Sequence, residues 1–109
     1  MGDPVEVVSA NYWYAIGTIN GSSWDIDYPM TYNDNGEWKI TLTYTAGQEF
    51  KFRKNKDWAT QFGNNGTATL PIEANYTPVA GGENFVLAES GTYDIYLTPA
   101  TPKIWVVKQ

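Results

Sequence analysis

The feature that most constrains this chain is a series of short segments in which apolar and polar residues alternate, each ended by a turn signal. The clearest case starts at residues 33–36 (NDNG), where Asn-Gly supplies the positive φ angles of a tight hairpin. Residues 37–45 then carry large apolar side chains at every second position. A period of two predicts a β-strand with one face buried and the other in solvent.

The same pattern recurs along the chain, and no stretch carries an apolar stripe of helical period. Further strands are predicted at residues 5–8, 11–17, 50–53, 67–72, 84–88, 92–98 and 103–108, and residues 76–82 are predicted to form a loop. Residues 27–32 contain Pro29, which favours an edge position or a segment that crosses between sheets. The strand at 50–53 is expected to pair with the one before it, as in a meander. The sequence therefore predicts an all-β, antiparallel, immunoglobulin-like β-sandwich of about seven to nine strands, folded as one domain over residues 1–109.

The high aromatic content indicates what kind of function the chain could have. The 109 residues include five Trp and eight Tyr, and aromatic residues make up 16% of the chain. A small core cannot absorb that many rings, so some are expected at the surface, where Trp and Tyr usually serve recognition. The net charge of −5 argues against nucleic acid, which needs a basic footprint. A neutral ligand is compatible with this balance.

Two residue types are absent, and their absence excludes several kinds of functional site. The chain has no Cys and no His, which excludes disulfides, thiolate metal sites and a histidine-based catalytic triad. A pair of carboxylates among the twelve acidic residues could still meet, but one small sandwich leaves little room for a cleft that excludes water. Residues 25–27 and 33–35 resemble oxygen-rich calcium loops without their full ligand spacing, so Asx turns are favoured and a structural calcium ion stays open. We expect no enzyme activity, no cofactor and no metal ligand.

The stretch 49–58 (EFKFRKNKDW) carries the strongest candidate binding residues. Phe50 and Phe52 share one predicted face of the strand, while Lys51 and Arg53 share the other. Trp58 follows a polar turn and does not lie within an alternation of apolar residues. A pyranose ring presents a C–H face that packs on an aromatic ring and a rim of hydroxyls that takes fixed donors. The combination therefore indicates a surface for a sugar, although Lys51 and Arg53 also fit a plain solvated strand face.

The five tryptophans divide by their surroundings. Trp24 and Trp58 each end a polar run and are predicted to be exposed and to contact ligand. Trp13, Trp38 and Trp105 lie within apolar segments and are predicted to pack inside the sandwich.

The order of these motifs resembles the starch-binding modules of the SusE/SusF outer-membrane proteins of gut Bacteroidetes and, more distantly, glycogen-binding domains of the family 48 type. The resemblance rests on four stretches: AIGTINGSSWD (15–25), FKFR (50–53), KDW (56–58) and GGENFVL (81–87). The closing segments GTYDIYL and KIWVV are similar to the last hairpin of the SusE/SusF modules. Residues 61–82 are longer than in the compact glycogen-binding domains, and this insertion leaves the shape of the site, and therefore the glycan, open.

The resemblance implies a non-catalytic module that captures an α-glucan such as starch or maltooligosaccharide. Family roles carried over by position make Trp24 and Trp58 stacking residues, with Lys51 and Asn84 as hydrogen-bonding residues. Asn84 is supplied by the resemblance alone, while Arg53 joins the set from its chemistry. The resemblance also implies a monomeric domain from a larger lipid-anchored protein at the outer membrane, facing the exterior. A structural spacer domain, a binder of another glycan such as xylan or β-glucan, and protein adhesion through the aromatic patch remain alternatives.

Overall fold

The computed structural model describes residues 12–33, 35–66, 69–70 and 74–109. Within these residues the chain forms ten strands and one short 3-10 helix at Ile19–Gly21. The strands are β1 Trp13–Gly17, β2 Tyr28–Pro29, β3 Thr31–Asn33, β4 Glu37–Tyr44, β5 Phe50–Lys54, β6 Asp57–Gly63, β7 Ala74–Tyr76, β8 Val79–Ala80, β9 Gly91–Thr98 and β10 Lys103–Lys108. No helix in the described part of the chain is long and apolar enough to span a membrane.

The strands form two antiparallel five-stranded sheets. Sheet A has the order β2-β1-β5-β6-β8, and sheet B has the order β3-β4-β9-β10-β7. This confirms the predicted all-β sandwich. The strand count exceeds the prediction because no strand was predicted at β6, β7 or β8. β6 was missed because its first six residues are exposed or half-buried and do not alternate, and β8 has only two residues. Pro29 lies in an edge strand, as expected. β2 is the outermost strand of sheet A, and β3, which follows it in the chain, is the outermost strand of sheet B.

The predicted meander between β4 and β5 is wrong. β4 pairs with β3 and β9, whereas β5 pairs with β1 and β6, so the turn at residues 45–49 carries the chain from one sheet to the other. Each strand has only one apolar face, and these faces meet across the sandwich, where Tyr44 and Phe50 pack edge to face with centroids 6.2 Å apart. The alternation in each strand fixes which face is apolar and leaves open which sheet the strand joins, so a crossover satisfies the pattern as well as a hairpin does.

The core lies between the sheets and is built from the alternate positions of the long strands. Trp13 and Trp38 are buried there, as predicted. Trp105 is not: it is 48% exposed, because Ile104 and Val106 take the inward positions of β10 and the residue between them must point outward. The other buried side chains include Ala15, Ile40, Leu42, Tyr44, Phe50, Phe52, Phe85, Leu87, Tyr93, Ile95 and Leu97.

The remaining differences lie between β6 and β9. Residues 84–88 form no continuous strand, because isolated bridges pair Phe85 with Phe50 and Leu87 with Leu70, in different places. The predicted loop at 76–82 is partly strand, since it contains the end of β7 and all of β8. The strand predicted at 5–8 and most of the one predicted at 67–72 lie outside the described residues.

Candidate functional site

The outer face of sheet A brings the predicted binding residues together, starting from β5. Phe50 and Phe52 are fully buried, so Lys51 and Arg53 must point away from the core. This is the division of faces that the alternation in the sequence predicts. Both cationic side chains are half-buried rather than free in solvent.

Trp58 reaches this face through an irregular hairpin. Asn55 and Lys56 form the turn with φ angles of 56° and 59°, the left-handed pair that a two-residue hairpin requires. The strand register then shifts: Lys54 pairs with Asp57, but Arg53 pairs with Gln61. Residues 58–60 therefore bulge out of the sheet on the β6 side.

The bulge brings the Trp58 ring into contact with Lys51 and Arg53 of β5. The Arg53 Cζ atom lies 4.7 Å from the ring centroid, and the Lys51 Nζ atom lies 5.5 Å from it. Contacts of this kind attract a cation to the face of an aromatic ring. Trp58 is nevertheless 42% exposed. We infer that the cations support one side of the ring and leave the other open to a ligand.

Trp24 comes to the same face on the loop between β1 and β2. Its backbone N–H donates to the Gly17 carbonyl at 2.9 Å, which closes the loop back onto the end of β1. Trp24 has φ 63°, a left-handed conformation that costs a non-glycine residue about 1–2 kcal/mol. Ile16, on the outward side of β1, is only 1% exposed and is absent from the core cluster, which indicates that this loop covers it.

The two rings form an open angle. The Trp24 and Trp58 centroids are 6.2 Å apart and their planes are tilted by 46°. Trp24 is half-buried and Trp58 is exposed. We call this pair the platform. Two tilted rings at this spacing offer a curved apolar surface instead of a flat one.

Arg53 is held by a carboxylate that the sequence analysis did not associate with it. Its Nε and Nη2 donate to the two Asp27 carboxylate oxygens at 2.8 and 2.7 Å. Both side chains are largely buried in this contact, at 13% and 11% exposed. The hydrogen bond to Asp27 raises the pKa of Arg53 above its usual range, against the opposing effect of burial. Arg53 therefore fixes the underside of Trp58, and two of its donors are committed to Asp27.

Lys51 has a different environment. Burial lowers the pKa of its ammonium from the usual 10.5, and the negative charge of Glu83 opposes that shift. Its charge is therefore less screened by water than that of a surface lysine.

Asn84 lies on the same side of sheet A, beyond Lys51. Its side-chain N–H donates to the Glu49 carboxylate at 3.0 Å. Glu49 precedes β5 and is tied to the Trp24 loop, because its backbone N–H donates to the Thr18 hydroxyl at 2.9 Å and its carbonyl accepts from Thr18 N–H at 2.8 Å. Asn84 is thus fixed relative to both β5 and the loop that carries Trp24.

A groove of about 370 Å³ adjoins the platform on the far side of Trp58. Its lining includes Gln61 and, from the segment predicted to be an insertion, Ala80 and Gly81. Gln61 donates to the Trp58 carbonyl at 3.3 Å, and its side-chain oxygen is buried with no hydrogen-bond partner among the described residues. Described residues of the segment 61–82 therefore border the site next to Trp58.

Comparison with known proteins gives the family. A family model described as SusF/SusE starch specific CBMs matches residues 12–104, which is most of the chain. The chain belongs to this SusF/SusE family. The family resemblance drawn from the sequence is confirmed.

A solved structure has the same fold. The chain superposes on the protein described as the ligand induced structure of AmyP-SBD with a TM-score of 0.66 and 22% sequence identity, covering 92% of this chain and 73% of that one. No curated protein matches the sequence.

In this SusF/SusE module, the structure gathers four predicted residues around one another and adds two carboxylates. Lys51, Arg53 and Trp58 are in direct contact, and Trp24 faces Trp58. Asp27 and Glu49 were missed, since their partners lie 26 and 35 residues away and no local pattern links them. No group of three acidic side chains in the described residues could hold a metal ion.

Proposed function

We propose that this SusF/SusE module binds an α-glucan, such as starch or a maltooligosaccharide, on the Trp24–Trp58 platform. The observation that carries the proposal is the tilted pair of rings, 6.2 Å apart at 46°, with two cations in contact with Trp58, which is still 42% exposed. An α-linked glucan curves along its length, so successive sugar faces turn relative to one another. A tilted pair fits such a chain better than the flatter ribbon of a β-linked glucan. The family description, and the AmyP-SBD neighbour as a starch-binding domain, support this ligand.

The polar residues at the platform suit the hydroxyl rim of the sugar. We propose that Lys51 and Asn84 donate to ring hydroxyls, since both sit on the platform face and carry several N–H groups. Arg53 contributes mainly by supporting Trp58, because Asp27 already takes two of its donors. The roles of the five predicted residues thus differ: two stack, two donate to hydroxyls and one positions a stacking ring.

The module is proposed to be non-catalytic. Two of the carboxylates on this face already have partners, with Asp27 paired to Arg53 and Glu49 accepting from Asn84. A general acid in this position would need a raised pKa and access to the glycosidic oxygen. The open platform also does not exclude water.

Binding to one site of this kind is expected to be weak. Sugar hydroxyls exchange hydrogen bonds with water for equivalent bonds with protein, so their net contribution is small. Most of the free energy must come from apolar stacking, which favours dissociation constants of about micromolar to millimolar. Several modules acting on one polymer convert such affinities into firm attachment.

We also propose that residues 1–109 act as a monomeric module of a larger, lipid-anchored protein on the outer face of the outer membrane. The family consists in general of cell-surface proteins of Bacteroidetes, which supports this location. Protease treatment of intact cells, followed by detection with an antibody against the module, tests it. Complete protection in intact cells and digestion only after lysis would contradict a surface location.

The ligand proposal is tested by calorimetry and affinity electrophoresis with starch, xylan and mixed-linkage β-glucan. Trp58→Ala should retain the fold and lose most starch binding. Removing about 100 Å² of exposed ring corresponds to roughly 2.5 kcal/mol, which weakens binding by about 10- to 100-fold. Trp58→Phe keeps a ring at the same place and is the matched control, with a loss of only a few-fold.

Three outcomes separate the alternatives. Normal starch binding by a folded Trp58→Ala protein would show that the platform is not the site. Binding of xylan or β-glucan in preference to starch would reassign the ligand and leave the platform in place. An absence of binding to every polysaccharide, together with full protection of tryptophan fluorescence from iodide, would favour a spacer domain.

A further inference from the structure

A second pair of aromatic rings lies on the outer face of sheet B, and the proposed function uses neither of them. Tyr96 and Trp105 have ring centroids 5.7 Å apart, with planes tilted by 37°. Trp105 is 48% exposed, which is slightly more than Trp58 at 42%. Trp105 contacts Tyr96 but lies outside the buried core, so about half of its surface is open to a ligand.

The second pair is part of a row of side chains that runs straight across three strands. Lys39 of β4 is the direct cross-strand partner of Tyr96 of β9, and Tyr96 is the partner of Trp105 of β10. The Lys39 ammonium lies 5.7 Å from the Tyr96 ring centroid. This repeats the combination found at the platform, where two neighbouring rings have an ammonium against one of them. We call these three residues the sheet B row.

A polar groove continues the row toward the edge of the sheet. It has a volume of about 480 Å³ and is lined by Lys39, by residues of β3 and β4, and by Pro29. Thr31, Asn33 and Thr41 supply hydroxyl and amide groups to its walls. The face thus has apolar rings at one end, hydroxyl and amide groups at the other, and Lys39 between them.

Charge and area identify the kind of ligand. The Lys39 ammonium lies 3.9 Å from the Asp94 carboxylate, which offsets its charge, so the row lacks the cluster of unpaired cations that a polyanion or an anionic membrane surface needs. The exposed part of Trp105 amounts to roughly 100 Å² of a side chain of at most about 250 Å², whereas a stable protein interface needs about 800 Å² from each partner. The distance from Lys39 to Trp105 spans two strand spacings, about 10 Å, which suits a short run of sugar rings.

We propose that the sheet B row and its groove form a second carbohydrate-binding site, for a neutral oligosaccharide of the same glucan class as the platform. The identity of that class rests on the proposed function. Trp105 and Tyr96 stack on sugar faces, while Lys39 donates to hydroxyls at the groove and Thr41, whose own proton goes to Asp94, accepts from them.

The two sites lie on opposite faces of the sandwich. Lys51 and Arg53 point outward from sheet A, and Lys39, Tyr96 and Trp105 point outward from sheet B. The sheets of a sandwich are separated by about 10 Å, so a short oligosaccharide cannot touch both sites at once. A module with two opposed sites can bridge two polymer chains, and it gains avidity on a dense glucan surface.

Titration with maltoheptaose, followed through the five indole N–H signals by NMR, tests the proposal. In the wild-type protein the Trp105 signal should shift along with those of Trp24 and Trp58. In Trp58→Ala the Trp105 shift should persist with an affinity within about twofold of wild type, while the Trp24 shift is lost. In Trp105→Ala the reverse should hold, and calorimetry should count two sugar chains on the wild type and one on each variant.

Two results would overturn the second site. One is a Trp105 signal that does not move at maltoheptaose concentrations ten times higher than those that saturate the platform, a measurement that requires no variant to fold. The other is a wild-type dimer that becomes monomeric in Trp105→Ala, since the face would then be an interface between copies. A Trp105 response without any at Trp24 or Trp58 would instead refute the platform and leave the second site standing.

Discussion

The two aromatic pairs of this molecule are placed by different means. Trp24 and Trp58 stand on a loop and a bulge, and they depend on a left-handed residue, a closed loop and an ion pair beneath them. Tyr96 and Trp105 stand on two regular strands in direct register and need no special backbone geometry. The geometry of the platform therefore depends on supports that single substitutions can remove. The geometry of the sheet B row should persist as long as sheet B is folded.

Substitutions near the two aromatic pairs should therefore affect their geometry differently. Substitutions beneath the platform should alter its rings through their supports, without touching ligand. Equivalent substitutions around the sheet B row should have little effect on its geometry. The substitutions below test that contrast.

Gly17→Ala should be the most damaging. A Cβ atom at Gly17 would lie 2.0 Å from the Glu49 carbonyl oxygen and 2.6 Å from Phe50 Cα, and both are backbone atoms that cannot turn aside. The end of β1 must separate from β5, which removes the base of the Trp24 loop. We expect a loss of about 3 kcal/mol or more, measured as the free energy of unfolding in urea.

The matched control is Gly36→Ala, in the hairpin between β3 and β4 of sheet B. Gly36 has φ 77° and open space around it, so alanine there costs only the left-handed conformation, about 1–2 kcal/mol. Equal losses in the two variants would contradict the claim that close backbone approach makes the platform side the more sensitive.

Asp27→Asn should have an intermediate effect, mostly on binding. The substitution removes the charge that holds Arg53 by two hydrogen bonds in a largely buried position. Hydrogen bonds to charged groups contribute about 1.5–3 kcal/mol, and the Arg53 side chain should become free to move from beneath Trp58. We expect starch binding to weaken several-fold in calorimetry, with unfolding shifted to lower urea.

Glu89→Gln is the control for this change, because it breaks an ion pair with Lys108 at the surface of sheet B. Pairs that are open to water contribute little, so stability and starch binding should stay at wild-type values. If Asp27→Asn matched that neutral behaviour, Arg53 would have no role in positioning Trp58.

The sequence was a good guide to the platform because its residues stand out from their neighbours. Trp24 and Trp58 follow polar runs, and the alternation in 50–53 assigns Lys51 and Arg53 to the outer face. Their supports could not be predicted, since Asp27 meets Arg53 and Glu49 meets Asn84 only after the loops close. Local patterns carry no information about contacts at such separations.

Trp105 shows the opposite case. Its apolar neighbours made it look like a core residue, yet in a strand the immediate neighbours of a residue lie on the other face. The residues that share its face are Lys103 and Val107, and the first of these is exposed. The pairing of β5 failed for a related reason: alternation gives the face of a strand but not the sheet to which it belongs.

Asp94→Asn should have the smallest effect, and it tests the durability of the sheet B row through pH. The Thr41 hydroxyl donates to Asp94 at 2.6 Å, and this hydrogen bond, with smaller contributions from Gln109 and Lys39, holds the pKa of Asp94 below 3.8 despite some burial. A folded-state pKa below the unfolded value contributes stability above about pH 4, and that contribution is lost as pH falls through the lowered folded-state pKa. The wild type should therefore be slightly more stable than Asp94→Asn in urea at pH 7, and the difference should shrink as the pH is lowered below about 4. Maltoheptaose shifts at Trp105 should survive in the variant, because the position of that ring is set by the β9–β10 register and not by Asp94. A loss of those shifts at pH 7 would mean that the row depends on its charges as much as the platform does, and the contrast between the two faces would fail.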